Sequence, residues 1–247
     1  MGQLDGKVAV ITGSTSGMGR ETAYLLAKEG AKVLITGRNE ERAKAAVAKI
    51  VENGGVADYV LANTQDLNSA DVIYNACMEK FGTCDILVNN AGQLSVSDYF
   101  DTTLEEWTQC FNVNVTMAFL LGQKFGKVMM EKGEGHIVNI SSIAGTSAHW
   151  GTAAYTSSKF AMKGLTRVQA NEMGPAVHVN GICPGAIKTA MLDSAGGVDS
   201  CGFLIERSPL KRVAEGSEIA TTVLFLCTEA SSFITGQIIR VDGGVDC

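Results

Sequence analysis

Val8-Ala9-Val10-Ile11-Thr12-Gly13-Ser14-Thr15-Ser16-Gly17-Met18-Gly19-Arg20 is an apolar run that breaks into a glycine-rich turn and continues into Glu21 to Lys28, a segment of helical character. Glycines at 13, 17 and 19 let the backbone turn sharply and approach a diphosphate, and the free N–H groups of a helix start favour an anion there. The spacing differs from G-x-G-x-x-G. A P-loop would require G-K-[ST], whereas Gly19 is followed by Arg20 and Glu21, so kinase and NTPase chemistry are disfavoured.

Outward from this turn, short Val- and Ile-rich runs alternate with helix-forming segments. The runs are Val8 to Ile11, Val33 to Ile35, Ala57 to Leu61, Ile86 to Val88, Ile137 to Ile140, Val177 to Ile182 and Ile238 to Val241. They show little polar alternation, as strands covered on both faces should. Helices are expected over Glu21 to Lys28, Asn39 to Glu52, Asn68 to Phe81, Leu104 to Glu131, Ala153 to Met173 and Ser217 to Cys227. The rhythm predicts a Rossmann-like α/β fold, a doubly wound parallel seven-stranded sheet with helices on both faces, in a single domain spanning 1–247. Thr189 to Leu210 breaks the rhythm. Ala195, Gly196, Gly197, Ser200, Gly202 and Pro209 punctuate it, and it reads as a mobile lid of about 189–210 over a binding site.

Composition excludes several classes. With 247 residues and a net charge of −6, the chain has no concentrated cationic face for nucleic acid. No apolar stretch approaches the ~20 residues that span a bilayer, and no secretory leader opens the chain, so no membrane partner is expected. Cysteines at 77, 84, 110, 183, 201, 227 and 247 are odd in number and irregularly spaced, without a metal-binding pattern. Reduced thiols in a cytoplasmic protein fit this usage.

Four further stretches stand in order behind the glycine turn: Asn89-Asn90-Ala91-Gly92; Asn114 within V-N-V; Ser142 followed thirteen residues later by Tyr155-x-x-x-Lys159; and Pro184-Gly185-x-x-x-Thr189. Together with T-G-x-x-x-G-x-G they cover nearly the whole chain, which resembles the short-chain dehydrogenase/reductase family. The resemblance implies hydride transfer between a nicotinamide cofactor and a ketone or secondary alcohol. By the same resemblance Gly13, Ser14, Thr15, Ser16, Gly17, Met18 and Gly19 cradle the diphosphate, Asp66 and Leu67 meet the adenine edge, Asn90, Ala91 and Gly92 border the cofactor, and Pro184, Gly185, Ile187 and Thr189 approach the carboxamide.

The residue ending the second strand discriminates a 2′-hydroxyl from a 2′-phosphate. Here Gly37 occupies the acid position and Arg38, a bidentate phosphate partner, follows. NADP(H) is therefore expected over NAD(H), which remains the alternative; the basic residue that some NADP-dependent relatives carry in the glycine turn is replaced by Ser16.

Tyr155 and Lys159, four apart on one helix face, lie within mutual reach, and an ammonium would stabilise a phenolate. The family assigns Tyr155 as acid/base, Ser142 as the hydrogen-bond partner of the reacting oxygen, Lys159 as a ribose holder and Asn114 as anchor of a proton-relay water. Ser141 is the rival for the serine role, but the interval to Tyr155 matches Ser142. His136 and His178 read as structural or exposed, and His149 with Trp150 lies near the substrate side. The substrate is expected to be small and hydrophobic, of steroid, polyol or hydroxy-acid type, the apolar body following from Met191, Leu192, Phe203, Leu204 and Ile205 in the lid. A 3-oxoacyl-ACP reductase is the alternative; an acidic carrier calls for basic residues, yet Glu131 to Glu134 and Met173 to Ala176 are neutral or acidic overall. A catalytically idle NADP(H)-binding regulator, or a purely structural oligomer, would have no use for the tetrad. The family resemblance also implies a homotetramer.

Overall fold

The computed structural model describes residues 2–194 and 196–245; Ala195 of the expected lid and Cys247 lie outside the described residues. Seven parallel strands form one sheet in the order β3-β2-β1-β4-β5-β6-β7: β1 (Val8–Ile11), β2 (Lys32–Gly37), β3 (Val56–Leu61), β4 (Ile86–Asn89), β5 (Gly135–Ile140), β6 (Val177–Pro184) and β7 (Ile238–Val241). Each expected strand is present, several extended by one to three residues. The order reverses at β1, which pairs with β2 through Ile11↔Ile35 and with β4 through Ile11↔Val88. In such sheets the crevice beyond the strand C-termini at this reversal is where ligands bind.

Side chains on successive strand residues point to opposite faces. Ala9, Ile11, Val33 and Ile35 therefore join Leu26, Ile219 and Val223 in one core layer, supplied by α1 (Gly17–Lys28), α2 (Glu40–Glu52) and the C-terminal helix Gly216–Leu226. Val8, Val10, Leu34 and Leu87 join Ile73, Leu121, Phe125 and Met129 in the other. That second layer is supplied by α3 (Ser69–Phe81), α5 (Met117–Lys132) and α6 (Ala153–Met173). Both faces of the sheet are thus apolar, which is why the strands read as continuous runs.

Two helices differ from the sequence expectation. Helix α1 starts at Gly17, not Glu21, because Ser16 is extended and the glycines themselves form the first turn. The segment expected as one helix over Leu104 to Glu131 is broken into α4 (Leu104–Phe111), a π-helical turn Asn112–Thr116, and α5. The expected lid contains two short helices, α7 (Ala190–Ser194) and α8 (Gly202–Arg207), ahead of the C-terminal helix, here α9. His136 and His178 are register partners on β5 and β6 whose rings meet edge-on at 5.4 Å, far from the crevice end of these strands. Among the described residues no helix is long and apolar enough to cross a membrane.

Phe125 is fully buried and its ring lies 5.4 Å from Tyr74, joining α5 to α3. Phe125→Ala should cost about 3–5 kcal/mol of unfolding free energy in urea titration, since the cavity left between two helices and a sheet has little freedom to collapse. A loss below about 1 kcal/mol would contradict this packing.

Candidate active site

The turn after β1 is set by short polar bonds. The Thr12 hydroxyl oxygen accepts the backbone N–H groups of Asn90 and Ala91, each at 2.9 Å, and the Asn90 amide donates to the carbonyls of Thr12 at 2.8 Å and Gly13 at 3.3 Å. Ser14 is fully buried; its Oγ donates to the Ile11 carbonyl at 2.7 Å and accepts from Thr36 N at 2.9 Å. Ser14 therefore stitches β1 to β2 and leaves the ligand face to its neighbours. Gly19 packs under the turn, where a Cβ would stand 2.4 Å from Asn90 Nδ2. Gly13 and Gly17 have φ of +65° and +53°, backbone that other residues rarely adopt.

A cleft of about 620 Å³ opens above this turn. Gly13, Thr15, Ser16, Gly17 and Met18 form its floor, Asn90, Ala91 and Gly92 one wall, and Thr189 and Met191 the lid side. These groups fit a dinucleotide: a glycine cradle at a helix start, open only where side chains are absent. Gly185 is pressed against Asp242, its Cβ position 2.8 Å from the Asp242 Cα, while Ile187 is buried and bridges to Ala214. Together with Pro184 at the end of β6 they support the Thr189 wall from behind. At the other end the lining is Ala62, Asn63, Thr64 and Gln65. Asp66 lies just past it, its carboxylate accepting from the backbone and side-chain nitrogens of Asn68, both at 3.0 Å, and Leu67 packs toward the core between α3 and α5.

Arg38 lines the cleft, and so does Arg42, which sequence reasoning missed. Arg42 stands four residues on, and α2 starts between them with Asn39 as its cap, accepting from Arg42 N at 2.8 Å; this i, i+4 spacing was the available signal. Gly37 is fully roofed: a Cβ there would stand 2.5 Å from Thr15 Cγ2 and 2.8 Å from Thr15 Oγ1.

Asn114, Tyr155 and Lys159 converge beyond Gly92, whose Cβ position would lie 3.6 Å from Asn114 Oδ1 and 3.7 Å from both Lys159 Nζ and Met191 Cε. Asn114 sits in the π-helical turn, almost fully buried. Its Oδ1 accepts from Gln93 N at 2.8 Å; its Nδ2 donates to the Gln93 carbonyl at 3.0 Å and to Ser158 Oγ at 2.9 Å. Ser158 Oγ in turn donates to the Tyr155 carbonyl at 2.7 Å, so Gln93 and Ser158, which no motif flagged, fix the helix that carries Tyr155 and Lys159.

Lys159 is 3% exposed; Nζ donates to the Ile140 carbonyl at 3.0 Å and lies 5.7 Å from the centre of the Tyr155 ring. Burial pushes its pKa down to about 8. Burial also lifts the Tyr155 phenol above its ordinary value, partly offset by a hydrogen bond with Ser142. The sequence argument expected the ammonium to favour a phenolate; in the protein alone, desolvation is the largest influence on both groups and disfavours the charged form of each. The two serines separate cleanly. Ser141 Oγ donates to the Lys159 carbonyl at 2.8 Å and is buried, whereas Ser142 begins a short 3-10 turn, accepts from Ala144 N at 3.1 Å and reaches the Tyr155 phenol. His149 Nδ1 is held by Ser147 Oγ at 2.7 Å.

This constellation coincides with independent similarities. The family profile described as "Enoyl-(Acyl carrier protein) reductase" matches residues 13–246. The chain is 36% identical over 248 residues to a 3-oxoacyl-[acyl-carrier-protein] reductase of Synechocystis sp., covering 99% of each. It superposes with a TM-score of 0.94 and 34% identity on a 7α-hydroxysteroid dehydrogenase complexed with NADH and 7-oxo glycochenodeoxycholic acid, covering 98% of this chain and 95% of that one. A Beutenbergia cavernae structure with NADP bound at low occupancy matches at a TM-score of 0.93 and 34% identity, covering 98% of both chains. Matching over nearly its whole length in both sequence and backbone, the chain belongs to the short-chain dehydrogenase/reductase family, oxidoreductases that act on CH–OH groups with NAD(P)(H).

Proposed function

We propose that the protein transfers hydride between NADP(H) and the carbonyl or secondary alcohol of a small substrate, with Asn114, Ser142, Tyr155 and Lys159 as its catalytic set. One observation carries the reading. Lys159 is a buried amine beside the half-buried Tyr155 with its desolvated phenol, an arrangement that disfavours the charged form of each and that a core would not keep without use. A nicotinamide held in the cleft would supply or accept the hydride. Tyr155 gives its phenolic proton to the carbonyl oxygen in reduction and takes the alcohol proton in oxidation, Ser142 holds that oxygen in line, and Lys159 orients the cofactor ribose and replenishes the proton. Asn114 holds the start of the relay to solvent through its bonds to Gln93 and Ser158.

The preference for NADP(H) rests on Arg38 and Arg42 lining one end of the cleft and on Thr15 filling the space above Gly37 that a ribose-binding acid would need. Met191, Leu192, Phe203, Leu204 and Ile205 in the lid favour a substrate with a hydrophobic body. The carrier reading needs free cations for an acidic partner, yet Lys132, the cation of the stretch Glu131 to Glu134, is paired with Asp85 and Glu134. Exposed Phe119 on α5 and Phe160 and Val168 on α6 support a homotetramer, and the buried free thiols support a cytoplasmic setting.

Three outcomes test this. Tyr155→Phe should lower kcat about 10²–10⁴-fold on a ketone panel while NADPH binding, read by fluorescence titration, changes little; undiminished turnover would remove Tyr155 from its role. Arg38→Asp and Arg42→Ala should each weaken NADP(H) about 10–100-fold relative to NAD(H). Equal relative affinities would remove the phosphate assignment. For Lys159, the unfolded amine holds its proton up to its ordinary value of 10.5 and the folded one only to about 8, so this group's penalty is full below pH 8 and fades as pH rises from 8 to 10.5. Lys159→Met should therefore abolish turnover yet be more stable than the parent by up to about 3 kcal/mol at pH 7, the gap closing toward pH 10.5. A stability gap independent of pH would contradict the buried charge.

A further inference from the structure

Trp150 ends the 3-10 turn Ala148–Trp150, and Gly151 after it packs against the Tyr155 ring, its Cβ position 3.1 Å from Tyr155 Cδ1. This loop therefore forms a wall beside the phenol. The Trp150 indole N–H is sealed from solvent and finds no acceptor among the described residues. Buried donors without a partner are rare and call for an explanation. The lid meets the same ring: Phe203 of α8 lies 5.8 Å from it, and the guanidinium carbon of Arg207, one turn further along α8, lies 5.6 Å from its centre. Arg207 Nε donates to the Val245 carbonyl at 3.0 Å, which fixes the plane of the fork, and among the described residues its terminal N–H groups have no hydrogen-bond partner. Among the described residues no carboxylate pairs with it. His149 is turned aside by its bond to Ser147.

From this juxtaposition we propose that Arg207 and the Trp150 indole N–H receive the carboxylate of the substrate, so that the enzyme acts on hydroxycarboxylates and the matching oxo acids. The inference rests on the oxidoreductase reading above and narrows its substrate class. A planar fork and one further N–H suit a planar two-oxygen acceptor, and the indole face 5.6 Å from the guanidinium carbon adds a cation–π contact that holds the fork beside that N–H. The aromatic faces of Trp150 and Phe203 flank the carbon chain, and docking of the acid would draw α8 onto the loop beside Tyr155. The cationic receiver also gives a protein of net charge −6 a local attraction for an anionic substrate.

The test uses 3-hydroxybutanoate, 3-hydroxyhexanoate and 6-hydroxyheptanoate, each against its own primary carboxamide, with NADP⁺ and the intact enzyme. The readout is the ratio of kcat/KM for acid over amide, which cancels general effects on folding or cofactor binding. At the chain length that spans the site the parent should show a ratio of about 50 or more, because a donor set built for an anion is left unpaired by its neutral analogue. Arg207→Met should bring the ratio near one, Arg207→Lys should leave it intermediate, since charge remains without the fork, and Trp150→Phe should lower it about 5–10-fold with the ring retained. A parent ratio near one at every chain length, or variants that lower both substrates alike, overturns the carboxylate site while leaving the oxidoreductase reading intact. No turnover of any alcohol removes that reading and this proposal with it.

Discussion

The Asn90 side-chain amide, donating to the carbonyls of Thr12 and Gly13, joins the two strands between which the sheet changes direction. Everything on the ligand face depends on that junction. It lets the chain leave β1 as a turn without burying unpaired carbonyls, which would otherwise be costly, and it places the glycine cradle against the wall formed by residues 90–92. The same economy continues deeper in the sheet, where Asn89 Nδ2 donates to Asn139 and Asn139 to Thr166 and Gln169. That buried ladder ties β4 and β5 to α6, the helix carrying Tyr155 and Lys159.

Much of this was legible in the sequence because it is written in local patterns. The strands are short apolar runs, and their parallel packing follows from having two apolar faces. The glycine turn was legible because only glycine accepts the backbone of positions 13 and 17. What was not legible depends on contacts between distant residues. Nothing local in Asn112-Val113-Asn114-Val115-Thr116 announces a π-helical turn; it follows from Asn114 satisfying Gln93 and Ser158 at once. Ser14 reads as one more cradle residue until its hydroxyl is seen between Ile11 and Thr36. The two lid helices hide in a glycine-punctuated stretch where the 3.6-residue period is too short to detect.

The reacting centre is a place where local stability yields to chemistry. A phenol lifted above its ordinary value and an amine lowered to about 8 by the same burial move apart in proton affinity, so in the protein alone the phenol keeps its proton and the amine is the readier of the two to release one. Ser142 adjusts this balance through its bond to the phenol, and Ser141, one residue earlier, serves the backbone instead. Adjacent serines thus divide labour by which side of the strand end each faces.

The π-helical turn also sets how this stretch tolerates changes in length. A π-helical turn holds one residue more than an α-helical turn within about the same rotation, so a one-residue deletion within 112–116 that restored regular winding would leave α5 in phase with α4. Phe125 and Met129 would keep their places in the sheet-facing layer, and the loss would fall on Asn114, whose bonds to Gln93 and Ser158 need its present position. A change of length here therefore tells on the site before it tells on the core.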